Sequence, residues 1–433
     1  MRRRDLRRRG LRGPAEQPHA GWDAAGWVEV DVLPRRRRPP VEARPQGEAG
    51  PPVEAGPPVE ALRPAEDRPP VARIPARVGS ATADAPSARI LQWPGPREAG
   101  APDDDVSPGR AGPGRAVLAP AAAVLLAWAL TCVVDGGPGL LDHVVVAASA
   151  SAPFALVAAI PMVALAVRAR LRIIAAVAAV AALVPWLFVL GYVVPAAGST
   201  AGGTQLSVMV LDADAGGADA PSVVAAVARQ PVDVLVVTET SGLLTHGLTT
   251  AGLDPRLTAR WASLPAGQPR AGLCVYSRYP VDRVDTVRGT RWPAVRITLD
   301  TGRGTVTVVA GRASPPGDGP EWWRSDLRML AAAASGASPA VLAGTLDASA
   351  EQAAFRRITG GGLQDAAAAL GRGVRPTWPS WSPLPLLPLD HVLVGRGVGV
   401  RSVGTLAVAG TSHRALVADL VVPDTHGAGP GGD

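Results

Sequence analysis

Hydrophobic residues follow two different patterns along this chain. Between residues 115 and 196, three uncharged apolar stretches occur in close succession, at 117–134, 144–167 and 173–194. From residue 206 onward, the apolar residues instead form short runs of β-branched side chains, separated by turns and by helical patterns. The first pattern is typical of membrane-spanning helices, and the second is typical of a soluble domain built from strands and helices.

Each of the three apolar stretches is about as long as a helix that crosses the hydrocarbon core of a bilayer. Buried helices of a soluble protein are the alternative, but three such runs in one short segment, joined by short polar turns, favour membrane helices. Pro161 and Pro185 are kinks of a kind that membrane helices tolerate. We therefore predict three transmembrane helices in residues 115–196.

The charges of the two connections predict how these helices are oriented. The first connection contains Asp135 and Asp142 and no arginine, whereas the second, Arg168 to Arg172, reads RARLR. Because positively charged loops stay in the cytoplasm, the second connection and the arginine-rich N-terminus are expected on that side. The third helix then leads outward, which predicts an extracytoplasmic C-terminal domain on the plasma membrane.

The remaining segments outside the domain have biased compositions. Residues 1–114 are rich in Pro, Arg, Glu and Ala and contain near-repeats such as PPVEAG, which predicts a disordered cytoplasmic arm. The small residues of 197–205 predict a flexible linker, and residues 424–433 are expected to form a disordered tail. The net charge of +6 comes mainly from the arm and from membrane-flanking arginines. It therefore does not indicate nucleic-acid binding, and the bias toward Arg, Ala, Gly and Pro suits a GC-rich bacterial coding sequence.

Residues 206–423 are long enough to enclose one large core. Strands are predicted at Leu206–Leu211, Val232–Val237, Gly272–Tyr276, Ala294–Leu299, Thr305–Ala310, Ala340–Ala343, Leu389–Val394 and Ala415–Val422. Helices are predicted at Val223–Arg229 after an N-cap at Ser222, at Trp322–Ala334 and at Glu351–Ile358. This alternation indicates an α/β fold. No disulfide is expected, because Cys132 lies in an apolar stretch and Cys274 in a predicted strand.

Five polar residues stand at or near the ends of these strands. They are Asp212, Glu239, Asp347, Asp390 and His413. Acidic groups at strand ends converge at one edge of an α/β layer, and carboxylate oxygens are ligands that Mg²⁺ or Mn²⁺ prefers. Each such residue alone is more often a turn former or a helix cap, but the five together favour a functional site.

The order of motifs in this domain resembles the endonuclease/exonuclease/phosphatase superfamily of metal-dependent phosphoesterases, which includes DNase I-like nucleases. The resemblance spans nearly the whole domain. It rests on LSVMVLD, VDVLVVTE, GLCVYSRYP, WPAVRITL, VTVVAGR, PAVLAGTLDAS, RPTWPSW, LDHVLV and TSHRALVADL. It implies a four-layer α/β sandwich, with two mixed sheets face to face, helices outside them and the active site at one end.

The resemblance also implies roles for individual residues. Glu239 matches the family's metal-binding glutamate, and Asp212 stands where the family has an asparagine that faces the metal, so both are expected to hold Mg²⁺ or Mn²⁺. Asp390 and His413 match the pair in which a carboxylate orients an imidazole against the scissile phosphate. His391 points to the opposite face if DHVLV is a strand, which favours a structural role.

Four further positions depart from the family pattern. Thr345 replaces the aspartate that helps to activate water, and Asp347 replaces an asparagine. Arg312 stands where a histidine lies near the phosphate, and Ser412 stands in place of an aspartate. A threonine hydroxyl does not act as a base at neutral pH, so the attack on the phosphoester lacks its usual proton acceptor.

Two interpretations of the site stay open. In the first, the rearranged carboxylates bind a divalent ion, Arg312 supplies positive charge, and the domain hydrolyses a phosphoester. In the second, the domain is catalytically impaired and binds a phosphorylated ligand or partner at the cell surface. The family acts on nucleic acids, phospholipid headgroups, inositol phosphates and nucleotides, so the substrate class stays open. Residues 378–388 form either a loop beside the site or a plain surface loop.

Overall fold

The computed structural model describes residues 113–195, 202–253 and 255–424. Nearly all of the predicted disordered arm, most of the predicted tail and part of the predicted linker lie outside these residues, and the last two arm residues, Pro113 and Gly114, begin the first helix. Within the described linker residues, Thr204 and Gln205 already belong to the first strand, so the domain begins slightly earlier than the sequence predicts.

Four helices precede the domain. They are α1 (Pro113–Leu130), α2 (Leu140–Ser151), α3 (Ala155–Arg168) and α4 (Arg172–Val189). A 3₁₀ turn joins α2 to α3, so that Leu140–Arg168 forms a 29-residue apolar helix, and the helix that starts with α4 extends as Arg172–Tyr192 over 21 residues. These two helices are long and apolar enough to cross a membrane, whereas the helix in the first predicted stretch is shorter and ends at Leu130.

Helices α1, α3 and α4 pack together through small side chains and expose large ones. Alanines dominate the buried contacts, as at Ala122, Ala155 and Ala178. The exposed side chains include Val157 and Ile173, which are 71% and 81% accessible. A soluble bundle has the opposite arrangement, because its large apolar side chains face the core. Small residues at helix contacts are typical of membrane bundles.

Twelve strands form two mixed sheets in the described part of the chain. Their bounds are β1 Thr204–Asp212, β2 Val234–Thr238, β3 Ala259–Ser263, β4 Leu273–Ser277, β5 Val281–Thr286, β6 Ala294–Asp300, β7 Thr305–Arg312, β8 Ala340–Thr345, β9 Gln364–Asp365, β10 Asp390–Val394, β11 Gly399–Leu406 and β12 Ala415–Val422. The first sheet has the order β11-β12-β1-β2-β4-β3, and the second has the order β5-β6-β7-β8-β10-β9. The pairs β1–β2 and β7–β8 are parallel, and the other pairs of strands are antiparallel.

The main core lies between the two sheets, where alternating residues such as Val208, Val236 and Val308 meet. The outer face of the first sheet packs on α5 (Ala220–Ala228) and α6 (Gly242–Thr250). The outer face of the second packs on α7 (Pro320–Ser335) and α8 (Ala353–Gly360), and a short helix, α9 (Ala366–Leu370), follows β9. The predicted four-layer α/β sandwich is confirmed.

The eight predicted strands are all present, but the sequence did not predict β3, β5, β9 and β11. These four strands stand at the four edges of the two sheets. β5 and β11 bury few of their residues, so the alternation of apolar residues that reveals a strand is weak in them. β9 has only two residues, and β3 is a buried five-residue strand whose sequence, ARWAS, has few β-branched residues. The two cysteines are buried and unpaired, as expected.

The predicted N-cap of α5 is wrong. The helix begins at Ala220, and its cap is Asp219, whose carboxylate accepts a hydrogen bond from the backbone N–H of Ser222 at 2.9 Å. The hydroxyl of Ser222 instead accepts a hydrogen bond from the backbone of Ala409. An aspartate three residues before a free N–H competes well for the capping position, which explains the shift.

The first connection between the apolar helices contacts the sandwich domain. Asp142 forms an ion pair with Arg324 of α7, with 2.9 Å between Oδ1 and Nη1. Asp135 pairs in the same way with Arg357 of α8. The two acidic residues of the first connection therefore join the apolar helices to the domain.

The end of the last apolar helix also contacts the domain. The hydroxyl of Tyr192 donates a hydrogen bond to Asp365 at 3.2 Å. The first connection and the end of this helix thus lie at the same end of the bundle, next to the domain. Arg168 and Arg172 lie at the other end of α3 and α4.

Replacing Arg324 by glutamate is expected to lower the free energy of unfolding by about 1–3 kcal/mol, between the values typical of exposed and buried ion pairs. The side chains of Arg324 and Asp142 are only 17% and 10% exposed, so the unpaired Asp142 carboxylate would stay partly buried. Denaturation of the full-length chain in detergent measures the effect. The exposed Arg328 on the same helix gives the control Arg328→Glu. If the double variant Asp142→Arg/Arg324→Glu is no more stable than the single one, the ion pair does not hold the domain in place.

Candidate active site

Polar side chains from both sheets meet at one end of the sandwich. Asp212 and Arg312 end β1 and β7, Glu239 and Asp347 follow β2 and β8, Asp390 begins β10, and His413 precedes β12. Parallel strands present their carboxyl ends on one side, and antiparallel neighbours present their amino ends there. The two topologies therefore place all six residues together.

The ends of β7 and β8 lie unusually close together. A Cβ atom on Gly344 would meet the carbonyl oxygen of Gly311 at 1.8 Å, so only glycine fits there. This approach sets the next residues, Arg312 and Thr345, side by side as register partners of the two parallel strands.

Arg312 lies among three carboxylates. Its Nη2 is 2.6 Å from Oε1 of Glu239 and 3.8 Å from Oδ2 of Asp347, and its Nε is 3.8 Å from Oδ2 of Asp212. The guanidinium also lies 5.7 Å from the ring centre of Trp292. Burial disfavours its charge, but the carboxylates of Asp347, Asp212 and Glu239 outweigh burial and raise the pKa of Arg312. The site therefore contains a permanent buried cation.

Several polar atoms in this cluster have no hydrogen-bond partner in the described part of the chain. Both Nε and Nη1 of Arg312 are buried donors without an acceptor, and Oδ2 of Asp347 is a buried acceptor without a donor. Most buried polar groups in folded proteins are paired. The unpaired N–H groups and the unpaired carboxylate oxygen are therefore available to a ligand.

The carboxylates of Asp212 and Glu239 are already engaged. Oδ1 of Asp212 accepts a hydrogen bond from the backbone N–H of Asp214 (2.9 Å), and its Oδ2 lies 3.2 Å from the hydroxyl of Thr238, whose single proton also serves the contact with Thr345. Glu239 accepts one from the backbone N–H of Ala215 (2.7 Å) through the oxygen that does not face the guanidinium. Burial and the charge of Asp212 raise the pKa of Glu239, whereas the nearby guanidinium lowers it.

The backbone around these carboxylates is strained. The φ angles of Asp214, Ala215, Glu239 and Asp347 lie between 47° and 56°, which is the left-handed region that residues with a Cβ atom rarely adopt. Such conformations cost free energy and persist only where the surrounding structure enforces them, as at binding sites. Here they turn the carboxylates of Glu239 and Asp347 toward the guanidinium.

The predicted hydrogen bond between Asp390 and His413 is present, with 2.7 Å between Oδ2 and Nδ1. Burial alone would lower the pKa of His413, but the carboxylate of Asp390, helped by Asp212 and Asp347, raises it to about 10. The ring is therefore an imidazolium at neutral pH and donates its Nδ1–H to Asp390. The site thus has a second side-chain cation.

Thr345 is completely buried and has a structural role. Its hydroxyl donates to Oδ1 of Asp390 at 2.7 Å and shares a hydrogen bond with the hydroxyl of Thr238 at 2.8 Å. It therefore fixes the carboxylate that orients His413. This position cannot supply a base, as the sequence indicates.

Asp347 is the remaining carboxylate with acid–base potential. Its side chain is 13% exposed. Burial raises its pKa to about 7, although the charge of Arg312 opposes this shift. A carboxyl group with a pKa near 7 exchanges protons readily at neutral pH, which is the property of a general base.

The other residues singled out in the sequence lie around this centre. Ser412 is half-buried, and its carbonyl oxygen accepts a hydrogen bond from the backbone N–H of Ser380 at 2.7 Å. Residues 378–388 therefore lie beside the segment that carries His413. This position supports the interpretation of residues 378–388 as a loop beside the site rather than a plain surface loop. His391 faces away from the site and bonds to Asp365 at 2.6 Å, so its predicted structural role agrees with the geometry.

Thr238 and Trp292 are site residues that sequence reasoning did not identify. Thr238 connects Asp212 to Thr345 through its hydroxyl, and Trp292 lies against Arg312. Their positions offered a signal, because Thr238 directly precedes Glu239 and Trp292 begins the matched motif WPAVRITL.

The predicted metal ligands do not fit a divalent ion well in this arrangement. Each oxygen of Asp212 and Glu239 already accepts a hydrogen bond or faces Arg312. A different trio, Asp212, Asp390 and His413, has one potential ligand atom each within 4.8 Å of one another. In that trio both oxygens of Asp390 accept hydrogen bonds, and Nδ1 of His413 is engaged by Asp390. Mg²⁺ also demands near-ideal octahedral oxygen geometry.

Comparison with known proteins gives a family for this domain. Residues 208–413 match the profile described as "Endonuclease/Exonuclease/phosphatase family". No curated protein matches the chain.

Three solved structures illustrate the similarity of the fold. An endonuclease/exonuclease/phosphatase from Beutenbergia cavernae is 21% identical, with 51% of this chain and 72% of that chain covered and a TM-score of 0.39. Sphingomyelinase C from Streptomyces griseocarneus is 18% identical, with 50% and 99% covered and a TM-score of 0.38. A humanized D. rerio TDP2 is 12% identical, with 50% and 98% covered and a TM-score of 0.43. At these identities and TM-scores, the similarity carries no information about substrate.

The charge of His413 is expected to make stability depend on pH. Because its pKa is raised from 6.5 to about 10 in the folded chain, its contribution is fully present below pH 6.5 and is lost as the pH rises through about 10. The loss amounts to a few kcal/mol. Urea denaturation between pH 6 and pH 10.5 measures it. In Asp390→Asn the decline should be smaller and end at a lower pH, whereas the exposed control Asp282→Asn should follow the original chain. Identical profiles for all three would rule out the raised pKa.

Proposed function

The C-terminal domain belongs to the endonuclease/exonuclease/phosphatase family, and on this premise we propose that it hydrolyses a phosphoester at the outer surface of a membrane. One observation carries the proposal. Two side-chain cations, Arg312 and His413, and a carboxylate with a pKa near 7, Asp347, come together where the two sheets end. Cations that hold phosphoryl oxygens and a base that activates water are what phosphoester hydrolysis requires.

The two cations bind the phosphoryl group. Arg312 offers Nη1–H, which has no acceptor among the described residues. A charge-assisted hydrogen bond from a guanidinium to a phosphoryl oxygen is strong. His413, held by Asp390, adds a second positive charge, which stabilises the negative charge that develops in the transition state.

Asp347 supports the attack of water. In the proposed step its carboxylate accepts a proton from water while the water oxygen forms a bond to phosphorus. The bond from phosphorus to the leaving oxygen breaks with its electron pair, and the leaving oxygen takes a proton from the solvent. Asp347 then releases its proton to the solvent, which restores the starting state.

The family implies a divalent cation, which would polarise a phosphoryl oxygen and acidify water. The engagement of Asp212 and Glu239 by Arg312 and by backbone N–H groups does not fit such an ion. The proposed steps therefore use side chains of this chain alone.

The membrane location rests on the apolar helices. Their large side chains face outward and their alanines face inward, which suits a lipid environment rather than water. The arginine-rich end of the bundle lies opposite the end that contacts the domain. With arginines retained in the cytoplasm, the domain lies outside the plasma membrane and the N-terminus inside. A substrate would then be a phosphoester that the outer face encounters, with nucleic acid as one class.

Hydrolysis of bis-p-nitrophenyl phosphate, p-nitrophenyl phosphate and plasmid DNA by the full-length chain in detergent tests the proposed activity. Asp347→Asn is expected to reduce kcat at least about a hundredfold, since a general base commonly contributes that much. The rate of the unmodified chain should rise as the pH passes through about 7, where Asp347 loses its proton.

Asp282→Asn is the matched control, because Asp282 is an exposed aspartate on β5. It should leave the rate unchanged. If the unmodified chain hydrolyses none of the three substrates but still binds phosphate, the domain recognises phosphorylated ligands without turnover. Equal rates for Asp347→Asn and the control would remove Asp347 from the mechanism.

Protease accessibility in intact cells tests the topology. An epitope tag at the C-terminus should be removed by external protease, whereas a tag at the N-terminus should persist until the cells are lysed. Protection of the C-terminal tag would reverse the proposed orientation. Release of the tagged chain from membranes by carbonate washing would argue against membrane insertion itself.

A further inference from the structure

The position of Arg312 suggests more than phosphate binding. Its guanidinium faces the two carboxylates that the family uses, or replaces, as metal ligands, with 2.6 Å to Glu239 and 3.8 Å to Asp212. Its Nη1, which faces neither carboxylate, is a buried donor without an acceptor among the described residues. The guanidinium therefore contacts carboxylates through Nη2 and Nε and leaves Nη1 unpaired for an anion.

A divalent ion in a phosphoesterase has the same two-sided arrangement. It neutralises protein carboxylates and bonds at the same time to an oxygen of the substrate. Arg312 is only 7% exposed, so its charge is shielded little by solvent and acts strongly on nearby groups. The aromatic face of Trp292, 5.7 Å away, helps to hold the guanidinium in place.

We propose that the guanidinium of Arg312 takes the place of the divalent cation, so that this domain binds the phosphoryl group of its substrate without a metal. Nη2 neutralises Glu239, Nε faces Asp212, and Nη1–H donates to a phosphoryl oxygen. This inference rests on the proposed function, and it names the group that carries the required positive charge.

The neighbouring hydroxyls fit this arrangement. Thr345 stands beside Arg312 in the strand register and donates to Asp390 at 2.7 Å. An aspartate at this position, as in the family, would place a second carboxylate against Asp390 in a buried site. Two buried carboxylates so close need a cation between them or must share a proton. A threonine removes that need, so it suits a site in which no metal ion separates the two side chains.

Inorganic phosphate and Mn²⁺ are the probes that test this inference. Calorimetry measures phosphate binding to the full-length chain in detergent with excess EDTA, and electron paramagnetic resonance measures bound Mn²⁺ without EDTA. The variants are Arg312→His, which introduces the family's residue, and Arg312→Lys, which keeps the charge but loses the fork of donors. Arg278→Lys is the matched control, because Arg278 follows β4 at the opposite end of the first sheet and pairs with Asp233.

The unmodified chain should bind phosphate in EDTA. Arg312→His should weaken that binding at least tenfold, Arg312→Lys should weaken it less, and Arg278→Lys should not change it. Arg312→His should also gain a Mn²⁺ site that disappears in Glu239→Gln/Arg312→His. Thermal unfolding of each variant shows whether it is folded, and the charge-preserving Arg312→Lys keeps the test valid if the histidine variant is not.

Three results would overturn the inference: a Mn²⁺ site in the unmodified chain that Glu239→Gln abolishes, no phosphate binding in EDTA, or phosphate binding that Arg312→Lys and Arg312→His leave unchanged. Its failure is distinguishable from failure of the proposed function. Hydrolysis that requires Mn²⁺ would preserve the function and refute the inference. Phosphate binding in EDTA without any hydrolysis would preserve the inference and refute turnover.

Discussion

The buried ion pair between Arg312 and Glu239 is the interaction on which the organisation of the site depends. Arg312 ends β7 in the second sheet, and Glu239 follows β2 in the first, so the pair joins the two sheets at their shared end. A buried charge is costly unless opposite charges compensate it. The carboxylates of Asp212 and Asp347 lie near the guanidinium for this reason, and the strained backbone at Glu239 is maintained because the ion pair holds its side chain there.

A second connection between the sheets runs through hydroxyl groups. Thr238 belongs to β2 and bonds to Asp212, and Thr345 belongs to β8 and bonds to Asp390. The hydroxyl oxygens of the two threonines lie 2.8 Å apart. This contact links the part of the site around Arg312 to the part around His413. Buried networks of this kind hold their members rigidly when each polar group is paired. Thr345 therefore contributes order at a position where the family places a reactive carboxylate.

Much of the fold follows from the sequence, because the central strands bury alternate apolar residues and because the motif order resembles one family. The edge strands β5 and β11 bury few residues and β9 has only two, so their patterns are weak, and two polar residues compete for the cap of α5. The sequence singled out the six residues that the structure brings together, and the predicted hydrogen bond between Asp390 and His413 is present. It did not reveal that Arg312 faces Glu239, because the direction of a guanidinium on a long side chain depends on packing rather than on residue order.

The substitutions at 312 and 345 are best understood together. Arg312 and Thr345 are register partners, brought close by the glycine pair before them. Adding a fixed cation at one position makes a divalent ion electrostatically redundant, and losing the ion makes an aspartate at the other position unfavourable beside Asp390. Either change alone would leave a buried charge uncompensated. Made together, they retain the cross-sheet contacts that position His413. In the proposed mechanism, water activation then falls to Asp347, whose Oδ2 lies 3.8 Å from Nη2 of Arg312.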